Sequence, residues 1–375
     1  MKQTILSLLL ILCSGTIFGS DYSKIDKQAA TVPGNLKTAG EIAHYLTRNL
    51  TLPSEKARAI YYWIAHAIRY DITKMNINNT YTNFQELVDD VLKNRKGVCA
   101  NYAALFQACC QSVGVQSYVI DGYTRQNNKV LFIGHSWNAV KIDNRFYNID
   151  ATWAAGFLNG KKYTQQFRDD FFMVPAAEFS RTHMPFDPVW QFLSNPITPK
   201  EFDKGDFSGL NKDSGFNYSD SINVLTRLSK LDKLIRENRR IIASGLTNTF
   251  IRNQAAYNQQ GIVSEKYNLA VDSFNKGVKK FNYYLECKNK QFIHLSMPDD
   301  KILELLSSTR ELVESAERSL HILKTDNYEL SRSMVSLQRS INLIKQNLGQ
   351  EDKFAARYVK AAKPLRIFLF YKKKS

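Results

Sequence analysis

Gly97-Val98-Cys99-Ala100-Asn101-Tyr102-Ala103 opens a run that continues Ala104-Leu105-Phe106-Gln107-Ala108-Cys109-Cys110, and its reading decides the fold. Apolar residues at 103, 105, 106, 109, 110 and 113 follow a helical spacing, and Gly114 stops the run as a C-terminal cap does. Cys99 therefore falls at the first turn of a helix, where unpaired backbone N–H groups and the helix dipole favour a thiolate. Two further blocks follow along the chain: Gly134-His135-Ser136-Trp137-Asn138 and Asn148-Ile149-Asp150-Ala151-Thr152-Trp153.

Alternation and β-branched content predict strands over 116–123, 136–142 and 145–149, with Asp143-Asn144 as a hairpin turn between the last two. Antiparallel pairing across that turn carries His135, near the start of one strand, toward Asp150 at the end of the other. One cysteine, one histidine and one aspartate then form a candidate nucleophile, a base that stores and returns its proton, and an acid that orients the base. The backbone N–H of Cys99 is a candidate oxyanion donor. Taken singly, these residues have ordinary structural explanations: a helix-start cysteine, an imidazole packed on an aromatic ring, an aspartate in a turn. Their order and the hairpin between them make the functional reading the better one.

The same blocks resemble a known family. Gly97-Val98-Cys99 with the Tyr102-Ala103-x-Leu105 helix, His135-x-Trp137-Asn138 and Asp150-Ala151-Thr152-Trp153 are similar to the three signatures of the transglutaminase-like superfamily. Upstream, Ala57-Arg58-Ala59-Ile60-Tyr61-x-Trp63-Ile64 resembles the helix before that core. Downstream, Phe171-Phe172 with Pro175, Thr182-His183-x-Pro185, Asp187-Pro188-x-Trp190-Gln191 and Pro196-Ile197 resemble its kyphoscoliosis peptidase-like branch. The resemblance covers roughly 40–207. It implies an α+β, papain-like fold with Cys99 as nucleophile, His135 as general base and acid, and Asp150 as orienting carboxylate. It also implies that Trp137 and Trp153 line the site, while Trp63 lies either in the core or within reach of the oxyanion. His183 reads as structural, and His44, His66, His294 and His321 fall in helix patterns without a role.

Met1-Lys2 followed by an apolar run from Ile5 to Leu12 and then by small residues reads as an export signal over 1–20, too short to span a bilayer. Leu12 before Cys13 fits a lipoprotein box badly, so the expected location is exported without a lipid anchor. Four cysteines follow the signal, with no CxxC pair and no His/Cys cluster at zinc spacing; Cys109 and Cys110, mid-helix, read as buried structural thiols. No acidic cluster reads as a calcium site, so neither metal nor cofactor is expected.

Beyond a polar linker over 208–219 the texture changes. Tyr267, Val271, Phe274, Val278, Phe281 and Leu285 are spaced four, three, four, three, four, as are Leu330, Met334, Leu337, Ile341, Ile344 and Leu348. Turn signals at Gln259-Gln260-Gly261, Met297-Pro298-Asp299 and Asp326-Asn327 divide this region into about four helices. Each seam is too short for a free coiled coil, so 220–350 is expected to form an all-α antiparallel bundle after a 21–207 core. Of the formal net charge of +16, residues 21–215 carry only +3, from 22 Lys+Arg against 19 Asp+Glu. The stretch 351–375, expected as a solvated basic tail, has eight basic residues and no acidic one from Lys353 onward. Such a tail would meet an anionic surface. Nucleic acid is excluded as a partner by the export signal and the lack of a recognition module. The expected activity is thiol-dependent hydrolysis of a peptide or amide bond in a protein or peptide substrate. Transfer of the acyl group to an amine and a non-catalytic scaffold are the alternatives.

Overall fold

The computed structural model describes residues 22–75, 81, 83–160, 162–293 and 297–371. The expected signal 1–20, Cys13 and His294 lie outside the described residues. The described chain forms two compact units, one comprising residues up to Pro185 with Trp190–Leu193, the other Phe186–Val189 with Ser194 onward.

The first unit begins with helices α1 (Ser23–Ala29), α2 (Ala39–Thr47) and α3 (Pro53–Ala67), followed by strand β1 (Arg69–Tyr70), α4 (Phe84–Asn94), β2 (Lys96–Gly97) and α5 (Cys99–Ser112). It continues with β3 (Ser117–Gln126), β4 (Lys129–Ile142), β5 (Arg145–Ile149), α6 (Ala151–Ala155), the hairpin β6 (Gly156–Asn159) and β7 (Lys162–Gln165), α7 (Ala176–Phe179) and β8 (His183–Pro185). The main sheet has the order β5-β4-β3-β8, all pairs antiparallel. This is the expected α+β architecture with a transglutaminase- and papain-like core. Helices α3 and α5 bury Ile60, Ile64, Leu105, Phe106, Cys109 and Cys110 in one core with Val140 and Ile149 of the sheet. Cys109 and Cys110 are fully buried, as their place in the helix suggested, and burial pushes the Cys109 thiol up to about 12.

The predicted hairpin is present, with Asp143 and Asn144 both at positive φ (48° and 62°), the conformation of a type I′ turn. Strands β3 and β4 extend further than the hydrophobic pattern indicated, meeting at a second turn over Asn127 and Asn128, also at positive φ. The aromatic and proline-rich stretch after residue 170 is more regular than its sequence suggested, because His183-Met184-Pro185 pairs with Gly122, Tyr123 and Thr124 as an edge strand. Proline is tolerated there because an edge strand needs no ladder donor on its open side. Gly122 lets that strand in: a Cβ at this position would lie 2.1 Å from the Met184 carbonyl oxygen and 2.6 Å from the Trp137 ring.

The second unit contains α8 (Pro199–Lys204), α9 (Tyr218–Leu225), α10 (Lys230–Ser244), α11 (Thr249–Asn289), α12 (Asp299–His321) and α13 (Tyr328–Lys360), closed by a 3₁₀ helix over Lys363–Phe370. The helices α11, α12 and α13 form an antiparallel bundle, with Val263, Ala270, Val313, Ala316, Leu337 and Ile341 in one core layer and Phe281, Tyr284, Leu305, Leu306, Leu348 and Ala355 in another. Four features differ from expectation. The break expected at Gly261 does not occur: α11 runs straight through it from Thr249 to Asn289. Residues 194–207 belong with the second unit: within it Arg240 of α10 grips Asp187 at 2.6 and 2.7 Å, and Asn248 donates to Asp203 at 2.9 Å. The 208–219 stretch is tied down rather than free, since Leu210 is buried and the Ser214 hydroxyl donates to the Ser194 carbonyl. The tail expected from 351 is structured as well. Helix α13 continues to Lys360, and Leu369 and Phe370 pack onto the second core layer.

Candidate active site

Cys99 is the first residue of α5, following β2 directly. The approach to it is held from three directions. Tyr70 of β1 pairs in register with Gly97, and the Asp71 N–H donates to the Gly97 carbonyl at 2.9 Å. The side chain of Asn101, fully buried, accepts from the Val98 N–H at 3.0 Å and donates to the Leu87 carbonyl at 3.0 Å. One turn further on, the Tyr102 hydroxyl donates to the Ile68 carbonyl at 2.7 Å. A Cβ on Gly97 would meet the Asn101 Cβ at 2.6 Å, so glycine is what allows the Asn101 side chain to fold back onto the helix start.

His135 is presented by β4. Three residues later in the same strand, Asn138 donates to the Ala103 carbonyl at 3.0 Å and the Tyr118 carbonyl at 3.2 Å, binding the sheet to the helix that carries Cys99. Pairing of Asn138 with Ile149 then sets Asp150, the residue just past β5, beside His135. His135 Nε2 donates to Asp150 Oδ2 at 2.7 Å. The Cys99 sulfur lies near enough to the ring to raise its proton affinity, and Nδ1 is the ring nitrogen that Asp150 does not engage. The structure thus brings Cys99, His135 and Asp150 together, with Cys99 at 9% exposure and Asp150 at 0%.

Asp150 is satisfied on both oxygens. Oδ1 caps α6, accepting from the N–H groups of Thr152 (2.8 Å) and Trp153 (3.1 Å), while Oδ2 accepts from His135 and from a second imidazole, His183 Nε2, at 3.2 Å. The Thr182 hydroxyl lies 2.8 Å from His183 Nδ1, and Phe179 stacks on the ring at 3.8 Å between centroids. His183 reaches this position because β8 joins the sheet edge, a long-range pairing with no local signal in the sequence. The ligand atoms of His135, Asp150 and His183 lie within 4.8 Å of one another, a spacing open to a metal ion as well. Here both rings point an N–H at the same oxygen, and the cluster is a hydrogen-bond hub.

The two imidazoles are driven apart electrostatically. Burial pulls the His135 imidazolium down, but the Asp150 charge and hydrogen bond, with the Cys99 sulfur, push it up to about 10. Burial lowers His183 to about 4, its Asp150 hydrogen bond being too weak an offset with the His135 charge nearby. Burial disfavours the Asp150 charge, yet His135 and His183 hold its carboxyl well below the usual carboxylate range. Near neutral pH the cluster is therefore one carboxylate, one imidazolium and one neutral imidazole.

Trp137 and Trp153 both pack at the site, with ring centroids 6.1 and 5.8 Å from His135. Trp63 is not brought there. It sits in the core of α3 under the Arg95 guanidinium, 5.3 Å from its ring, and lines a depression with Leu92 and Lys93. Trp63 thus occupies the core position, the first of the two expected for it. Beside His135 a cleft of about 140 Å³ is lined by Tyr70, Ile133, Trp153, Phe157, Leu158 and Tyr163, among others. Burial, reinforced by the charges of Cys99 and Asp150, keeps the Tyr70 phenol well above its usual range, so it stays a neutral hydrogen-bond donor. Asn101, Asn138 and Tyr70 are supporting residues that the sequence reading gave no role, although both asparagines lie inside the quoted motifs, and His183, read there as structural, joins them through Asp150.

Residues 40–151 match the family model of the transglutaminase-like superfamily, and this part of the chain is a transglutaminase-like core. Within that class the similarity runs to the kyphoscoliosis peptidase-like branch: human kyphoscoliosis peptidase is 30% identical over 190 residues, covering 48% of this chain and 28% of the relative. Hillarin of Drosophila melanogaster is 27% identical over 206 residues, covering 49% of this chain and 24% of the relative. The chain thus spans less than a third of the length of these curated relatives. The solved structure of a TGase is 18% identical, covers 41% of this chain and 37% of its own, and has a TM-score of 0.25.

Proposed function

We propose that the chain is an exported cysteine-dependent hydrolase that cleaves a peptide or amide bond through a thioester. The observation that carries this reading is the His135–Asp150 hydrogen bond with the Cys99 sulfur beside the same ring, Cys99 being on the first turn of α5 and Asp150 fully buried. In the acylation step the Cys99 thiolate, paired with the His135 imidazolium, attacks the carbonyl carbon, and the C–N bond breaks as the imidazolium gives its proton to the departing amine. The Cys99 N–H at the helix start is the donor for the oxyanion formed on the way. In the second step His135 takes a proton from water as the oxygen attacks the thioester. The acid leaves, and the thiolate and imidazolium are restored.

The cleft beside His135 supports a polypeptide substrate with a large apolar side chain close to the scissile bond. Among the described residues of the first unit, five large hydrophobic side chains are more than a third exposed, and three of them, Ile133, Phe157 and Leu158, line this one cleft. Exposed apolar side chains gathered in a concave site are the usual lining of a binding pocket. Treatment of the purified protein with a thiol-directed acyl probe tests the proposal. A covalent adduct at Cys99, lost in Cys99→Ala, is expected; an equally labelled Cys99→Ala protein or no adduct at neutral pH overturns it. Mass spectrometry with a primary amine present separates the two acceptors, since hydrolysis leaves a free acid and transfer leaves a substituted amide.

A further inference from the structure

The second unit carries a surface that its packing leaves unexplained. In a 3₁₀ helix side chains three apart eclipse one another. Over Lys363–Phe370 and the residue that follows, this puts Leu365, Phe368 and Tyr371 in one row, and they are 57%, 65% and 66% exposed. The row cannot turn inward, because the opposite side of the helix is already committed. Leu369 and Phe370 pack on the bundle, with the Phe370 ring 5.3 Å from Phe354 and 5.8 Å from Tyr358. Arg366 makes a two-pronged ion pair with Asp299 at 2.6 and 2.7 Å and lies over the Tyr358 ring.

The chain leading into this row is rich in exposed basic residues. Lys353, Arg357 and Lys360, spaced i, i+4, i+7, form an exposed stripe on the last turns of α13, and Lys363 opens the 3₁₀ helix. Among the described residues none of these four makes an ion pair with an acid. The neighbouring acids have other partners: Glu351 takes Lys288, Asp352 takes Arg310, and Asp299 takes Arg366. A protein interface would be depleted in lysine at its centre. Amphipathic segments that lie on lipid combine bulky apolar and aromatic side chains with lysine and arginine in this way. No described helix is long and apolar enough to cross a membrane, so the contact is interfacial.

We propose that this face docks onto a phospholipid surface bearing anionic headgroups. Leu365, Phe368 and Tyr371 enter the boundary between headgroups and acyl chains. Lys353, Arg357, Lys360 and Lys363 supply the attraction to the headgroup charge. Flotation of the full chain with phosphatidylcholine vesicles, with and without phosphatidylglycerol, tests this. Partitioning is expected to be at least about tenfold stronger with the anionic lipid and to weaken with salt. It should fall by a similar factor in L365S/F368S/Y371S and in K353Q/R357Q/K360Q/K363Q, with helicity unchanged by circular dichroism. Equal partitioning into neutral vesicles, wild-type flotation by either variant, or binding to polyglutamate without binding to vesicles overturns the proposal.

Discussion

His183 is the site residue whose removal separates a positioning role from mere packing. In His183→Phe the ring still stacks on Phe179 and Trp153, but Asp150 loses one of its four hydrogen-bond donors, the one at 3.2 Å on Oδ2. Losing one hydrogen bond to a buried charged group costs about 2 kcal/mol. The loss should appear in the urea midpoint at neutral pH. If Asp150 then holds His135 less firmly, acylation of Cys99 slows by about tenfold, which is ~1.4 kcal/mol. The pH dependence supplies the control. His183 has an ordinary value of 6.5 and about 4 in the fold, so below 6.5 the unfolded chain binds a proton that the native protein refuses. Its contribution to stability is intact above 6.5 and shrinks as pH falls toward 4. The gap between wild type and His183→Phe should therefore narrow between pH 6.5 and 4, while His183→Gln, which can still donate to Oδ2, restores part of the acylation rate. A gap that stays constant over that range, together with undiminished acylation in the Phe variant, would refute the reasoning.

The opposite sign holds for His135: its folded value of about 10 lies above 6.5, so its stabilisation is complete below 6.5 and declines as pH rises toward 10. Asp150→Asn should flatten that alkaline slope in thermal unfolding and reduce Cys99 acylation far more than His183→Phe does. Arg58, 2% exposed, reaches Asp26 at 2.6 and 2.8 Å, also pairs with Asp169, and lies against the rings of Tyr22, Phe167 and Phe172. Arg58→Ala should lower stability by about 3 kcal/mol in urea unfolding. It should also loosen the site, because the Phe171 carbonyl, two residues past Asp169, accepts the Asp150 N–H at 3.0 Å. Gly97→Ala should displace the Asn101 side chain and slow labelling of Cys99 with a smaller loss of overall stability, read by comparing the acyl-probe rate with the urea midpoint.

How much of this was legible in the sequence follows from how local each determinant is. Cys99 announces itself through the glycine before it and the helical spacing after it. The Asp143-Asn144 turn fixes the β4–β5 register, and the register delivers His135 to Asp150. The long seam over Leu337, Ile341 and Leu348 marks α13 because an amphipathic helix carries its burial in its own spacing. Gly261 misled for the converse reason: a glycine at a helix end and a glycine inside a 41-residue helix have the same letter, and the helical pattern on both sides decides between them.

His183 shows where such reading stops. Its neighbours Thr182 and Pro185 fit a tight structural segment, and the ring is indeed packed hard against Phe179. Its hydrogen bond to Asp150 depends on β8 choosing the edge of β3, on Gly122 leaving room for Met184, and on a carboxylate whose other oxygen is already occupied by α6. Those three conditions come from separate parts of the chain. Together they turn a packing residue into a second partner of the carboxylate that holds His135, and the same burial that makes the contact possible keeps the ring uncharged, so that of the two imidazoles His135 alone carries the charge near neutral pH.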